Sequence, residues 1–101
     1  MVVKFENDGR ILEVFLEGEL DHHNVKDIRE KIDSEIRRTT PTKIILNLKG
    51  VPFSDSSGIA LIMGRYKLAN SYGGKVEVCN MSAQVKKVLS FGSLEKLVSI
   101  N

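Results

Sequence analysis

The sequence predicts an α/β protein in which a mixed β-sheet is covered by helices. Near the N-terminus, two apolar runs of strand type are joined by the short turn Asn7-Asp8-Gly9, which makes the two strands antiparallel. Further along, strand-type runs alternate with helical patterns, and strand–helix–strand units imply parallel neighbours with right-handed crossovers. The predicted order is therefore β-β-α-β-α-β-α, followed by a short apolar tail.

Length and composition indicate one ordinary globular domain covering residues 1–101. With 42% hydrophobic and 28% charged residues, the chain has the composition of a folded domain and is too short to divide into two stable cores. Fifteen basic against thirteen acidic residues give a formal charge of +2. This balance gives no clustered basic face of the kind that nucleic acid requires, and we expect no direct nucleic-acid partner.

The chain shows no targeting or membrane signal. Its start lacks the long apolar core of a secretory signal, and no apolar run approaches the roughly 18 residues of a membrane span. Cys79 is the single cysteine and has no partner for an internal disulfide. We therefore expect a cytoplasmic protein without a membrane partner, in which Cys79 is a small packing residue.

The first half of the chain predicts two strands, over residues 2–6 and 10–17, and then a helix. Asp21 or Asn24 can cap this helix through a side-chain oxygen. Proline at position 41 ends it. Apolar residues at spacings of three and four give the helix one buried face, formed by Val25, Ile28, Ile32 and Ile36.

The second half predicts a central strand, a helix, another strand and a last helix. Residues 43–48 are apolar at nearly every position, which is typical of a strand covered on both faces by helices. Residues 75–79 form the next strand, Ser82 caps the last helix, and the apolar tail beyond Leu94 packs back on the body.

The helix over residues 57–72 carries an interior glycine, Gly64. Such a glycine costs roughly 1 kcal/mol relative to alanine, so we attribute it to close packing or to a site. The inward face of this helix is predicted to be Ile59, Ile62, Met63 and Tyr66.

Two polar junctions between a strand and a helix are the candidate functional region. In sheets of this kind, sites form beyond the carboxyl ends of the strands. The first junction runs from Glu19 to Asn24, and the second is Ser54-Asp55-Ser56-Ser57-Gly58. If both preceding strands are internal and point the same way, the two junctions lie at the same edge of the sheet.

A metal site at Asp21-His22-His23 is disfavoured. Adjacent histidines on an extended stretch point apart, and one carboxylate with two imidazoles lacks a further ligand. A polar recognition loop or a plain helix cap explains the residues better, and we expect no metal and no other cofactor.

For Ser56, several kinds of chemistry are disfavoured by the surrounding residues. The glycine that precedes the serine of a G-x-S-x-G elbow is missing, and no histidine follows Ser56 in the chain, so a hydrolase is not indicated. The Gly-x-x-x-x-Gly-Lys-Ser/Thr pattern of a phosphate-binding loop is also absent. A helix cap and a serine that is itself phosphorylated both remain open from the residues alone.

Over nearly its whole length the sequence resembles the anti-sigma factor antagonists of the STAS domain family, and most of all those of the sporulation sigma-F pathway. The resemblance rests on the following segments, with the spacings between them kept: Gly18-Glu19-Leu20-Asp21-His22-His23, Ile45-Leu46-Asn47-Leu48, Asp55-Ser56-Ser57-Gly58, Gly64-Arg65-Tyr66-Lys67 and Gly73-Gly74.

The resemblance implies a binding switch and not an enzyme. In that family the first serine of Asp-Ser-Ser-Gly, here Ser56, is phosphorylated by the partner, an anti-sigma factor that is also a serine kinase. The unphosphorylated antagonist binds this kinase and frees the sigma factor, whereas the phosphorylated form dissociates and is restored by a phosphoserine phosphatase. Ser54 stands where the antagonist of the sporulation sigma-F pathway has an apolar residue, and we expect this difference to affect which kinase the protein binds.

We accordingly expect a partner-contact surface formed by both junctions around Ser56. Its members are Asp21, which falls on the loop aspartate that the family uses in partner contact, together with His22, Asn24, Ser54, Asp55, Ser57 and Gly58. An alternative function is a small-ligand or nucleotide sensor that uses the N-terminus of the 57–72 helix as an anion site. The small size of the chain and the absence of an apolar stripe left over after the core is assigned predict a monomer when the protein is free.

Overall fold

A computed structural model describes all residues from Met1 to Asn101 and contains a five-stranded sheet and three helices. The strands are β1 (Val2–Asp8), β2 (Ile11–Glu17), β3 (Lys43–Gly50), β4 (Lys75–Cys79) and β5 (Ser99–Ile100). The helices are α1 (Val25–Thr39), α2 (Ser57–Asn70) and α3 (Ala83–Ser90), and a single 3₁₀ turn covers Leu94–Lys96.

The sheet has the strand order β1-β2-β3-β4-β5, which confirms the predicted mixed topology. β1 pairs with β2 antiparallel, and every other neighbouring pair is parallel. β3 lies in the middle of the sheet, as its nearly continuous apolar sequence indicates. Because β2 and β3 are parallel, their carboxyl ends meet at one edge.

The turn between β1 and β2 is shorter than the sequence suggested. Asp8 pairs directly with Ile11, so that only Gly9 and Arg10 lie in the turn. Gly9 has φ 63°, a conformation in which glycine carries no Cβ penalty. The predicted turn Asn7-Asp8-Gly9 was therefore displaced along the chain, because the pairing of β1 with β2 extends through Asp8.

Helices cover one face of the sheet only, so the prediction that β3 is buried on both faces is wrong. Its residues alternate between fully buried Ile44, Leu46 and Leu48 and partly exposed Ile45 and Asn47. The partly exposed side chains lie on a face that carries polar partners in place of helices. There the Asn47 amide donates to Glu13 at 3.0 Å, and Lys43 Nζ lies 2.7 Å from Glu77 Oε2.

α1 packs on the sheet through the face that its periodicity predicted. Ile28, Ile32 and Ile36 are buried, and Val25 packs against the same core. The helix ends where Thr40 adopts a left-handed conformation with φ 39° and donates its N–H to the carbonyl of Ile36. Proline at position 41 follows and prevents further helix.

α2 is apolar around most of its circumference because it packs against α1, α3 and β4. Of the predicted inward residues, Ile62 is fully buried, whereas Ile59, Met63 and Tyr66 are partly buried. A Cβ at Gly64 would meet no atom within 4 Å. Close packing is therefore the wrong explanation for this glycine.

An ion pair that the sequence analysis did not predict joins α1 to α2 inside the protein. Arg65 of α2 is 4% exposed, and its Nε lies 2.7 Å from Oδ1 of Asp33 in α1. A second guanidinium nitrogen donates to the other carboxylate oxygen at 3.2 Å, and the third donates to the carbonyl of Leu61. Burial lowers the pKa of Arg65 from its ordinary value, and the charge of Asp33 opposes this shift.

The C-terminal part follows the prediction with one addition. Ser82 caps α3 by accepting from the N–H of Val85 at 3.2 Å, and Leu94 and Val98 of the tail are buried. The tail also forms β5, which pairs with β4 in parallel. A strand of only two residues, Ser99 and Ile100, is too short to give a sequence signal.

None of the helices combines the length and the apolar character that crossing a bilayer would need.

Candidate functional site

The two polar junctions lie side by side and are hydrogen-bonded to each other, which confirms their predicted meeting at one edge of the sheet. Leu20 and Ser54 form an isolated parallel bridge. The N–H of Leu20 donates to the carbonyl of Phe53 at 3.0 Å, and the N–H of Asp55 donates to the carbonyl of Leu20 at 3.0 Å. The loop after β2 and the loop after β3 therefore pair with each other in parallel, as the two strands before them do.

Asp55 is the side chain that organises this pair of loops. Its Oδ1 accepts from the backbone N–H of Ser57 at 2.8 Å and also from the Ser57 hydroxyl, while its Oδ2 accepts from the N–H of His22 at 3.2 Å. These hydrogen bonds, led by that from the Ser57 hydroxyl, hold the pKa of the Asp55 carboxyl below its ordinary value. Asp55 is consequently ionised at neutral pH and fixes both loops.

Ser56 occupies the N-cap position of α2, but its side chain does not cap the helix. The residue already has helical angles (φ −64°, ψ −14°) and makes no side-chain cap hydrogen bond, and it is exposed. The interpretation of Ser56 as a plain helix cap is therefore wrong. Asp55 performs that task one residue earlier and leaves the Ser56 hydroxyl available.

Ser54, which we predicted to contact a partner, lies beneath the surface. Its exposure is 0%, and its hydroxyl donates to the carbonyl of Asp55 at 2.8 Å. The side chain of Gln84 in α3 makes two hydrogen bonds to the backbone of Ser54. The Gln84 side-chain oxygen accepts from the Ser54 N–H, and the Gln84 side-chain nitrogen donates to the Ser54 carbonyl, each at 3.0 Å. Ser54 thus has no surface to offer a partner and instead attaches the loop to α3.

Gly58 is also buried, and the first turn of α2 packs closely because of it. A Cβ at this position would overlap the hydroxyl oxygen of Ser54 and lie 3.2 Å from a methyl carbon of Leu20. Glycine therefore lets α2 begin directly above the two joined loops. Like Ser54, Gly58 supports the predicted contact surface from below.

The residues before α1 form a closed turn held by two side chains. The Asp21 carboxylate accepts from the N–H groups of His23 and Asn24 at 3.0 and 3.2 Å. The Asn24 side chain accepts from the N–H of Asp21 at 3.1 Å and donates to the carbonyl of Glu19 at 2.7 Å. Asn24 is the N-cap residue of α1 without a side-chain cap bond, so Asp21 and Asn24 stabilise the turn before the helix rather than cap it.

The histidines of this turn do not point apart as predicted. Because residues 22–24 form a turn instead of an extended stretch, the rings of His22 and His23 lie with centroids 4.0 Å apart. Both residues are exposed, and His22 Nδ1 is 3.6 Å from Asp55 Oδ2. No group of three or more side chains of the kinds that bind metal ions comes together in the structure.

Two residues at this site were not singled out from the sequence. Gln84 reaches Ser54 from a distant part of the chain, and nothing in its local sequence predicts this contact. Phe53 precedes the buried serine and keeps 42% of its surface exposed. An exposed aromatic ring beside a polar loop is a common element of protein contact surfaces.

Comparison with known proteins agrees with this geometry. The model of the STAS domain family matches residues 3–101. A relative from Paenibacillus polymyxa, named anti-sigma F factor antagonist, is 40% identical over 98 residues, which cover 97% of this chain and 84% of that protein. The chain belongs to the STAS domain family.

Solved structures extend the likeness to the fold. The unphosphorylated anti-sigma factor antagonist SpoIIAA matches with a TM-score of 0.85 and 35% identity over 99% of this chain and 88% of that one. SpoIIAA of Bacillus in its phosphorylated form, described as a cell fate determinant, matches with a TM-score of 0.75 and 34% identity, covering 99% of this chain and 91% of that one. Within the family, the chain is thus similar to anti-sigma factor antagonists in sequence and in structure.

Proposed function

We propose that the protein is an anti-sigma factor antagonist that is switched by phosphorylation of Ser56. In its unphosphorylated form it binds an anti-sigma factor serine kinase and releases the sigma factor. Phosphorylation ends this binding, and a phosphoserine phosphatase reverses it. The protein is in this account a substrate and a binding partner, it acts in the cytoplasm, and it needs no catalytic residue or cofactor of its own.

The assignment of Ser56 as the phosphorylated residue rests on one observation, which is that the neighbouring serine hydroxyls differ in exposure and in hydrogen bonding. Ser54 is buried and donates to a backbone carbonyl, and Ser57 donates to the Asp55 carboxylate. Ser56 is exposed and makes no side-chain cap bond. A kinase must bring an accessible hydroxyl in line with the γ-phosphate of ATP, and Ser56 is the serine of this segment that meets the requirement.

The proposed contact surface consists of Ser56 with Asp21, His22, Asn24, Asp55 and Ser57. The hydrogen bonds between the loops hold these residues in one arrangement before a partner binds, which reduces the entropy lost on binding. Ser54 and Gly58 lie beneath this surface, so an influence of Ser54 on the choice of kinase would act through the position of the loop.

Charge is the proposed mechanism of release. Phosphorylation adds about −1.5 to −2 charge units at neutral pH, directly beside the ionised Asp55. A desolvated group of like charges at a compact interface opposes association by several kcal/mol, enough to separate a micromolar complex. SpoIIAA has been solved in both forms, and this chain matches each over 99% of its length, which favours a switch without refolding.

Nothing in the structure favours the alternative of an anion or nucleotide sensor at the start of α2. The N–H of Ser57 is taken by the Asp55 side chain, and the N–H of Gly58 is taken by the Asp55 carbonyl at 3.1 Å. The donors that would hold a phosphate are thus already used, and a carboxylate occupies their place.

A binding experiment with the anti-sigma factor kinase of the same organism tests this function. Ser56→Ala should bind with the affinity of the wild type in isothermal titration, whereas Ser56→Asp should bind roughly tenfold or more weakly because of its added charge. Ala60→Asp, on the exposed side of α2, is the matched control for a charge near the site. Equal binding by Ser56→Asp and Ser56→Ala would contradict the proposal.

A further inference from the structure

His22 is joined to the residue before Ser56 by a backbone hydrogen bond, while its ring makes none there. The backbone N–H of His22 donates to Oδ2 of Asp55 at 3.2 Å, and Ser56 follows Asp55 in the chain. The ring nitrogen Nδ1 lies 3.6 Å from the same oxygen, too far for a hydrogen bond, and the His22 side chain is 73% exposed. The ring is therefore held close to the segment that carries Ser56 but can turn towards another acceptor.

The negative charge of this segment has no lysine or arginine to balance it. Asp55 is ionised at neutral pH, because hydrogen bonds, led by that from the Ser57 hydroxyl, lower its pKa. Its single ion-pair partner is His22, since the other ion pairs of the structure join other residues. A phosphoryl group on Ser56 would add about −1.5 to −2 charge units next to this carboxylate. Phosphorylation therefore concentrates negative charge beside an imidazole that can take up a proton.

We propose that the protonated ring of His22 pairs with the phosphoryl group of phosphorylated Ser56 and thereby makes the switch dependent on pH. This inference rests on the proposed phosphorylation of Ser56. The ring turns from Asp55 towards the phosphate, and a ring N–H donates to a phosphate oxygen in a charge-assisted hydrogen bond. No covalent bond changes in this step. His22 acts on the charge of the product and takes no part in phosphoryl transfer.

The other charged groups near His22 differ from it in position or in titration. The elements next to His22 carry Asp55 before α2, Glu19, Asp21 and His23 on its own loop, and Lys26 and Asp27 in the first turn of α1. The first turn of α2 adds no charged side chain. Carboxylates and lysines keep their charge near neutral pH, whereas an imidazole changes its charge between about pH 5 and 8. The ring of His23 stacks on His22 with centroids 4.0 Å apart, but it has no ion pair with Asp55.

The sign of the pH dependence follows from these charges. At lower pH the protonated His22 ring offsets part of the phosphate charge, so the repulsion that separates the complex is weaker. At higher pH the ring is neutral, and the phosphate and Asp55 oppose binding without compensation. The phosphate itself takes up a proton with a pKa of about 6, which acts in the same direction. The contribution of His22 is therefore the part of the pH dependence that His22→Gln removes.

A ³¹P NMR titration of the free protein, with phosphoserine incorporated at position 56 during synthesis, tests the pairing without a kinase. An imidazolium beside the phosphate favours its doubly charged form. The midpoint of the phosphate titration should therefore be lower in the wild type than in His22→Gln, by about 0.5 pH units or more. His23→Gln and Lys26→Gln, which remove an imidazole or a positive charge from neighbouring exposed positions, are matched controls and should stay close to the wild type. Equal midpoints in the wild type and His22→Gln, or a rise caused by His23→Gln instead, would overturn the proposal.

Isothermal titration with the anti-sigma factor kinase tests the effect on release. The measured quantity is the ratio of the dissociation constants of the phosphorylated and unphosphorylated forms, which corrects for any effect of His22 on the unphosphorylated complex. Between about pH 6.5 and 8, this ratio should rise roughly threefold more in the wild type than in His22→Gln. An equal rise in both proteins would overturn the proposed pH dependence. A ratio of one at both pH values would contradict the proposed function, whereas the ³¹P titration decides the pairing by itself.

Discussion

At the residue scale, the roles of the consecutive polar residues after β3 are separated by what each side chain contacts. Ser54 faces inward, Asp55 caps α2, Ser57 donates to Asp55, and Ser56 faces outward. The segment therefore presents one hydroxyl while using its other polar groups for structure. Because Ser56 makes no cap bond, phosphorylation of its hydroxyl leaves the hydrogen bonds at the start of α2 in place.

Asp55→Asn should lower the free energy of unfolding at neutral pH by roughly 0.5–2 kcal/mol, because a charged acceptor for the Ser57 and His22 groups becomes a neutral one. The folded-state pKa of Asp55 is lowered, so its contribution is present above the unfolded pKa and disappears as pH falls through the folded pKa. Urea denaturation at neutral pH and again well below pH 3.8 measures this. A stability difference that persisted unchanged at the acid pH would contradict the assignment.

Ser57→Ala should raise the pKa of Asp55 towards its ordinary value, since the hydrogen bond from the Ser57 hydroxyl is the largest cause of the lowering. The Asp55 carboxyl signal in an NMR titration reports this pKa directly. Ser56→Ala is the control, because its hydroxyl does not cap the helix and the Asp55 pKa should stay where it is. An identical Asp55 titration in Ser57→Ala and wild type would show that the bond is absent in solution.

At the element scale, α2 is held by close packing at its start and by an ion pair in its middle. Gly58 lets its first turn contact the joined loops, and Arg65 connects it to α1. Both features fix where the exposed Ser56 stands relative to the loop that carries Asp21. The helix is therefore a rigid support for the proposed switch.

The two interior glycines of α2 should respond oppositely to the same substitution. Gly58→Ala should destabilise the protein by about 1–3 kcal/mol, since the new methyl group overlaps Ser54. Gly64→Ala should stabilise it by up to about 1 kcal/mol, because alanine is the better helix former and the space is open. Thermal unfolding of both variants measures the pair. Destabilisation by Gly64→Ala would mean that the helix has a tighter neighbour there than the structure shows.

Removing one charge of the ion pair between α1 and α2 should destabilise the protein much more than replacing both charges with apolar side chains. Asp33→Ala leaves the guanidinium of Arg65 buried without its counter-charge and should cost about 3–5 kcal/mol. The double variant Asp33→Leu/Arg65→Met, which replaces both charges with apolar groups of similar volume, should recover most of that loss. Denaturant unfolding of the single and double variants measures both changes in the free energy of unfolding. A double variant no more stable than Asp33→Ala would show that the pair itself is required.

At the scale of the whole molecule, the sequence predicted the parts that depend on local periodicity and on chain connectivity. The buried face of α1, the central place of β3 and the meeting of the two junctions follow from spacings and from parallel crossovers. The open face of the sheet was missed because an apolar run over residues 43–48 looks the same whether its second face meets helices or polar side chains. That face is filled by contacts such as Lys43 with Glu77, which depend on strand neighbours.

The site was predicted in outline, but not in the roles of its residues. The motif placed the serines together, whereas the burial of Ser54 depends on Gln84, thirty residues away along the chain. The choice between Asp55 and Ser56 as the cap depends on backbone angles that the sequence leaves open. The pairing of Arg65 with Asp33 likewise depends on how α1 and α2 pack. Long-range contacts are what periodicity and motif spacing cannot supply.

The central claim, that Ser56 is the accessible phosphate acceptor, is tested most directly by mapping the modified residue. The wild-type protein should be incubated with ATP and the anti-sigma factor kinase of the same organism, digested, and sequenced by mass spectrometry, with Ser56→Ala and Ser57→Ala treated in parallel. The account predicts a single phosphoryl group on Ser56 in the wild type and in Ser57→Ala, and none in Ser56→Ala. Phosphate on Ser57, or none on the wild type with a kinase that modifies its own known substrate, would contradict it.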